Sequence, residues 1–494
     1  GFQKSIDREG CEVLMTKTCL DQSPQNEDDP AHTSFWMGAA CACAVYTFWN
    51  MVAHQVILGR ELEHNCLPRP DTLSGDVELT PEEEYLSMFK GTFCLILWSV
   101  CWAMIVQFCQ QIGCNPAAIL QINLRPDCSR ITSAAKSVII ICFFRYIFVH
   151  TTDCLPEFEG LQRLAGWIPF VMFLCLLVYH VGFQCDKGHV CKLILKGIAS
   201  PISGAGPDSA DSFAFNILSS MTKPLVDVAF GACFYVSGEV IEDNGVLKGE
   251  FCYEAVLAKH WYNLGTFILC FPNAMRLAQC MRSAYTSKKR HPHLTNAVKY
   301  MANLLVTLFG IIHTQEVNAE NYPVFFWCWL AIMAFSALYA FVWDTTMDWG
   351  MILADDSCLC FPRGSFRCRR DGLIWESSWP YGVAIVLNLI GRFFFIVTLL
   401  PYNSIALEGG NEPIYNVVKF VAPGVEVCRR SMWCVFMFEY KQLQKDQLPG
   451  MSRGMSRVAG SKDWLASSST RKEIAIIIAL LSASIIVIWA TREL

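Results

Sequence analysis

Between Val324 and Gly350 the chain reads VFFWCWLAIMAFSALYAFVWDTTMDWG, an apolar run that closes on two carboxylates, Asp344 and Asp348. A helix needs about 20 apolar residues to cross a hydrocarbon core of roughly 30 Å, and this run supplies them. Positions i and i+4 share a helical face, so Asp344 and Asp348 are expected to project together, flanked by Trp343 and Trp349. Acids at the end of a membrane span are costly unless they meet water, a partner charge or a pore. The other apolar runs hold the matching cations: Lys299, Arg392, Arg429 and Arg430.

The rest of the composition fits that stretch. Of 494 residues, 53% are hydrophobic and 17% charged, below the roughly 25% charged residues of a soluble surface. Continuous rather than alternating apolar runs indicate helices, not a barrel. The expected class is all-α, a polytopic transmembrane bundle of about ten spans. A net charge of −5 gives no basis for a nucleic-acid partner. Many of the 25 cysteines lie inside apolar runs, among them Cys41, Cys43, Cys94, Cys101 and Cys328, and behave there as small hydrophobes. Loop cysteines (Cys66, Cys114, Cys128, Cys154) are disulfide candidates on an oxidising side. Cys358, Cys360 and Cys368 lack a fourth ligand at metal spacing, so no zinc site is expected. No cofactor is implied either. Residues 1–34 are polar and acidic, unlike a signal peptide, and Gly1 to Ser5 fits a myristoylation pattern if an initiator Met has been removed.

Spans are expected near Phe35–Leu58, Met88–Cys109, Trp167–Phe183, Asn216–Val236, Lys259–Phe271, Ala297–His313, Val324–Val342, Tyr381–Leu400 and Tyr415–Phe438, with a further apolar segment over 473–490. The run 137–149, interrupted by Arg145, is short and reads as spanning, re-entrant or interfacial. The chain divides into a polar tail (1–34), N-terminal transmembrane helices with their loops (35–213), a transport bundle (214–443), a cytosolic linker (444–472) and an additional C-terminal span (473–494). The segments 276–299, 363–370 and 441–472 are basic, whereas 315–322 and 402–413 contain no Lys or Arg. The positive-inside rule then puts the basic set, and the Asp344/Asp348 end of the central span, in the cytosol.

Guanidinium groups from several helices, held by acids when empty, suit a phosphate or carboxylate ligand. Glu426 stands three residues before Arg429 and four before Arg430, so either pairing is open. The structural alternative is that Asp344 or Asp348 neutralises Arg392 while Arg429 reaches the cytosolic rim. Spacing alone leaves both readings standing. There is no Walker A, G-x-S-x-G or HExxH element. His150, His180 and His313 are isolated, and an enzyme is not expected.

RLAQCMRSAYTSKKRHPHLTNAVKYMANL (276–304), FVWDTTMDWGMI (341–352), LIGRFFF (389–395) and VAPGVEVCRRSMWCVFMFE (421–439) resemble the EXS domain. It is the membrane domain of phosphate exporters of the xenotropic and polytropic retrovirus receptor type, their plant relatives and a small Golgi protein of yeast. The motifs cover roughly 165–443 and are strongest from 276 onward. The resemblance implies a phosphate path lined by Lys299, Tyr300, Arg392, Arg429 and Arg430, with Asp344 and Asp348 holding the basic groups. The family's Asp and Asn on an earlier span match Asn216 and Ser219, and its gate aromatic, usually Trp, matches Phe395. These departures bear on turnover, gating and substrate. The inositol-phosphate-binding SPX domain of the large exporters is expected to be absent, as is the first family helix. The leading expectation is a transporter or channel for inorganic phosphate or a similar oxyanion in the Golgi or plasma membrane, as a homodimer or in a membrane complex. The competing expectation is a non-transporting scaffold, sorting protein or complex subunit that keeps the fold.

Overall fold

The computed structural model describes residues 30–52, 81–111, 114–120, 128–152, 166–179, 189–202, 209–237, 250–257, 263–315, 322–353, 367–368, 379–396 and 413–447. The helices run in chain order as α1 (Pro30–Val52), α2 (Pro81–Gln111), α3 (Pro116–Leu120), α4 (Cys128–Thr152), α5 (Ile168–Val178), α6 (His189–Ala199) and α7 (Ser209–Leu218). They continue as α8 (Thr222–Val236), α9 (Glu250–Cys252), α10 (Leu264–Ser287), α11 (His293–Gln315), α12 (Tyr322–Trp343), α13 (Trp379–Phe393) and α14 (Pro413–Gln447). Two π-helical turns, Tyr253–Leu257 and Asp344–Asp348, extend α9 and α12. The described strands are two residues each, Ile352–Leu353 and Arg367–Cys368, paired antiparallel.

The protein is an all-α integral membrane protein. Among the described residues, Ser87–Cys109, His293–Ile312 and Val324–Asp348 are long and apolar enough to cross a membrane, and the bent pair α7–α8 makes a fourth candidate. The uncertain run 137–149 lies inside the 25-residue helix α4, about 37 Å long at 1.5 Å per residue. The candidate myristoylation site, Cys66, Cys154, Cys358, Cys360, His180, residues 448–472 of the linker and the apolar segment 473–490 lie outside the described residues.

Helix α2 joins the two largest apolar clusters. One side packs with α7, α13 and α14 through Cys94, Cys109, Ile217, Val427 and Phe438; the other packs with α1, α4, α5 and α8 through Phe89, Ala135, Met172 and Phe234. Lys90 on α2 is 3.3 Å from Asp227 on α8. A disulfide links Cys233 on α8 to Cys252 on α9, a pair absent from the loop candidates; Cys114, one of those candidates, is buried in the apolar core.

Three sequence expectations are corrected. The expected span Asn216–Val236 is two helices meeting at 62°. Pro224 has no N–H for the Ser220 carbonyl, and Ser220 and Met221 instead close tight turns onto Ile217 and Leu218. The expected span 259–271 becomes α10, which runs on to Ser287 through Pro272. Asn263 caps its start by accepting from the Thr266 N–H at 2.8 Å, and Lys288, at φ 56°, ends it. Arg276, counted with a basic loop, is therefore buried in a helix. Third, the α-helical geometry expected at Asp344–Asp348 is a π turn, closed by the Trp349 N–H donating to the Asp344 carbonyl at 2.9 Å.

Candidate functional site

The π turn ends α12 between two groups of cations and gives each acid its own partners. Thr345 and Thr346 donate their hydroxyls back to carbonyls of Phe341 and Val342, which holds the widened turn. Gly350 follows at φ +57°, and a Cβ there would strike the Tyr440 ring. This is why the tryptophan–glycine pair ends the motif: Trp349 is fully buried against Phe436, and the chain turns where only glycine fits.

Asp344 is sealed, with its side chain 0% exposed. Its Oδ2 accepts from Arg392 Nη2 at 2.6 Å, Arg392 Nε at 3.2 Å and Asn388 Nδ2 at 3.3 Å, and lies 3.5 Å from Arg429 Nη1. Asn388 and Arg392 stand four residues apart on one face of α13. Arg429 also grips Glu426 with two bonds, Nε to Oε2 at 2.7 Å and Nη2 to Oε1 at 2.6 Å, and donates to Asn388 Oδ1 at 3.0 Å. The pairing left open in the sequence thus goes to Arg429. Gly391 makes room for it, since an added Cβ would lie 2.8 Å from Arg429 Cδ.

Arg430 is different. It is 4% exposed, lies over the Trp433 ring at 4.8 Å and donates through Nε to Ser220 Oγ at 2.7 Å. Among the described residues it makes no ion pair, and its buried Nη1 has no hydrogen-bond partner. Ser220 lies in the break between α7 and α8, so the bend that divides the expected span also brings a hydroxyl to this guanidinium. Isolated buried charge is expensive, and a paired or ligand-bound state offsets that cost.

Asp348 faces a cavity of about 150 Å³ lined by Ser209, Ser212, Phe213, Asn216, Arg276, Asn296, Lys299, Tyr300, Trp343, Trp433, Met437 and Lys441. Among the described residues, three cations there meet one carboxylate. Lys299 Nζ is 4.0 Å from Asp348 Oδ2 and lies over the rings of Tyr300 and Trp343. Two indoles orient the acid: Trp343 Nε1 donates to Oδ1 at 3.1 Å and Trp433 Nε1 to Oδ2 at 3.0 Å. Arg276 has neutral partners, donating to the Tyr300 hydroxyl at 3.1 Å and to Gln279 Oε1 at 2.7 Å; the Tyr300 hydroxyl in turn donates to Asn216 Oδ1 at 3.3 Å. Gln279 is anchored on the Gly197 carbonyl and Ser200.

The structure therefore gathers Lys299, Tyr300, Asn216 and Asp348 at the cavity, and Arg392, Arg429, Asp344 and Glu426 in a network beside it, with Arg430 at the helix break. Ser219 donates its hydroxyl to the Asn216 carbonyl, and Phe395 lies past the end of α13 with its ring 6.0 Å from that of Phe393; neither lines the cavity. Sequence reasoning missed Arg276, Gln279, Asn296, Asn388, Trp433 and Lys441 as site residues. The spacing Arg276, Gln279, Cys280 on one face of α10 was the available signal. A second cavity of about 700 Å³ lies between α1, α2, α4, α13 and α14; apart from Thr47, Arg145 and Arg429 its walls are apolar or thiol-bearing, so it lacks the convergent polar groups of the smaller one.

The model of the EXS family matches residues 85–443, most of the chain and well upstream of the motifs. The chain belongs to the EXS family. Relatives include the human Solute carrier family 53 member 1, 24% identical over 433 residues (84% of this chain, 56% of that protein). The Mus pahari protein of the same name is 25% identical over 376 residues (72% and 50%). The Danio rerio Xenotropic and polytropic retrovirus receptor 1 homolog is 24% identical over 425 residues (84% and 56%). This EXS chain spans about half the length of the curated relatives it matches.

Proposed function

We propose that this EXS-family protein moves inorganic phosphate across a membrane through the cavity at Asp348 and the arginine network beside it. The observation that carries the reading is the charge balance of that cavity: among the described residues, Arg276, Lys299 and Lys441 face a single carboxylate inside a helical membrane bundle. An uncompensated cationic cavity favours an oxyanion, and the family resemblance makes phosphate the oxyanion of choice. The basic Lys288–Arg290 turn between α10 and α11 marks the cytosolic end under the positive-inside rule, and Lys299 follows within two turns of helix.

In this reading phosphate exchanges water for Arg276, Lys299 and the Tyr300 hydroxyl. It passes next to Arg430, whose Nη1 is a buried donor awaiting an acceptor, and then along Arg392 and Arg429 toward the end of α13 and Phe395. Asp344 and Glu426 hold the last two arginines while no anion is present, and binding stays weak enough for release. Residues 214–443 make the transport bundle, joined at the cavity by Ser209, Ser212 and Phe213 from the start of α7; the membrane is that of the Golgi or the cell surface, and the working unit is a homodimer or a larger membrane assembly.

The test is labelled-phosphate flux in proteoliposomes. Wild-type protein is expected to exceed empty vesicles, and Arg276→Gln, which leaves the sealed Asp344 network intact, to cut the flux by about tenfold while the protein still elutes as a folded, monodisperse species. Wild-type flux equal to empty vesicles leaves the scaffold alternative in place of transport.

A further inference from the structure

We propose that the cavity sorts oxyanions by whether they carry a proton, and that Asp348 is the residue that does the sorting. The inference rests on the reading of this cavity as the anion site. Asp348 lines the cavity with its side chain 20% exposed, while Asp344 is sealed, so of the two acids it is the one a bound anion meets. A carboxylate offers about four acceptor positions and no donor when ionised. Two of those positions are filled by the indole N–H groups of Trp343 and Trp433, which fix the plane of the group. Lys299, at 4.0 Å, is outside hydrogen-bonding distance and fills none. A second acceptor lies on the same wall, where the Asn296 Oδ1 is buried without a hydrogen bond.

The remaining lining supplies donors: the cations Arg276, Lys299 and Lys441 and the Ser209 and Ser212 hydroxyls. A cavity made of donors alone takes any tetrahedral anion of the right size. Inserting an ionised carboxylate changes that. At neutral pH phosphate and arsenate keep at least one proton, and their hydroxyl donates to Asp348 or Asn296. Sulfate has no proton to give, so its oxygen would face the carboxylate lone pair against lone pair, with both acceptors left unmade. Leaving buried acceptors without donors is the costly side of hydrogen bonding, and sites built around such a bond reject ligands that lack its other half. The acid therefore does more than hold Lys299 in place.

The experiment uses the full chain in proteoliposomes at neutral pH, with labelled phosphate uptake competed by unlabelled phosphate, arsenate or sulfate. Arsenate is expected to compete within ~3-fold of phosphate and sulfate at least ~10-fold more weakly, the latter equal to about 1.4 kcal/mol. In Asp348→Asn, whose amide can turn a donor to the anion, sulfate is expected to close to within ~3-fold of phosphate. Sulfate competing as well as arsenate in the wild type overturns the proposal, as does full discrimination retained in Asp348→Asn. Where that variant fails to fold, Asn296→Ala is expected to narrow the ratio by a smaller factor, and an unchanged ratio counts against the proposal. Absence of any phosphate flux would defeat the transport reading alone. The selectivity is then read from thermal stabilisation of the detergent-solubilised protein by phosphate against sulfate, and an equal response to the two, or to neither, overturns it.

Discussion

Four residues apart on one widened turn, Asp344 and Asp348 have opposite surroundings. Asp344 is closed off by two arginines and an amide; Arg429 has a second acid in Glu426, whereas Arg392 bonds to Asp344. Asp348 shares its cavity with three cations and takes its own hydrogen bonds from neutral indoles. A sealed carboxylate whose cations come from two other helices ties those helices together, even with Oδ1 of Asp344 left without a hydrogen bond, whereas a cavity with cations in excess is a place for a mobile anion. The difference separates scaffold from site within a single turn of helix.

Breaking the sealed side is expected to have the largest effect. Asp344→Asn leaves Arg392 and Arg429 short of a counter-charge inside the bundle, a change that costs about 3–5 kcal/mol and shows as loss of monodisperse protein on gel filtration. Gly350→Ala comes next, because it adds a side chain at a left-handed position against the Tyr440 ring; a destabilisation of about 3 kcal/mol is expected in a thermal melt. Gly391→Ala pushes on the Arg429 stem rather than on backbone, so a loss of about 1–2 kcal/mol is expected, with reduced phosphate flux. On the open side, Arg276→Gln should leave the melting temperature within a few degrees and weaken phosphate competition by about tenfold. An Arg276→Gln protein that collapses as Asp344→Asn does would erase the contrast between the two regions.

Much of this contrast was legible in the chain, and the part that was not has physical reasons. Asp344, Asp348, Lys299, Arg392 and Arg429 stand out because charge in an apolar run is conspicuous, and the structure brings them together at the end of α12. Helix identity survived for the same reason. Arg276 was hidden among the loop cations near Lys288–Arg290, because nothing local says that α10 continues past Pro272; its Asn263 cap and the Lys288 terminus become meaningful only once the helix is seen. The break at Ser219–Met221 is similar: Pro224 weakens the helix there, but the hydroxyl that meets the bend's partner, Arg430, belongs to a contact 210 residues apart in sequence. The π turn escaped because an inserted residue leaves no mark on an i, i+4 spacing. Asn388 read as one polar residue in an apolar helix until Asp344 and Arg429 came to it from two other helices.

The most direct test of the central claim, that the excess positive charge around Asp348 holds an oxyanion, is a high-resolution density map of the protein at saturating phosphate. The account predicts a tetrahedral feature in the cavity within hydrogen-bonding reach of Arg276, Lys299 and Asp348. A cavity empty of such density, or phosphate found only beside Arg392 and Arg429 with Asp344 displaced, would contradict it.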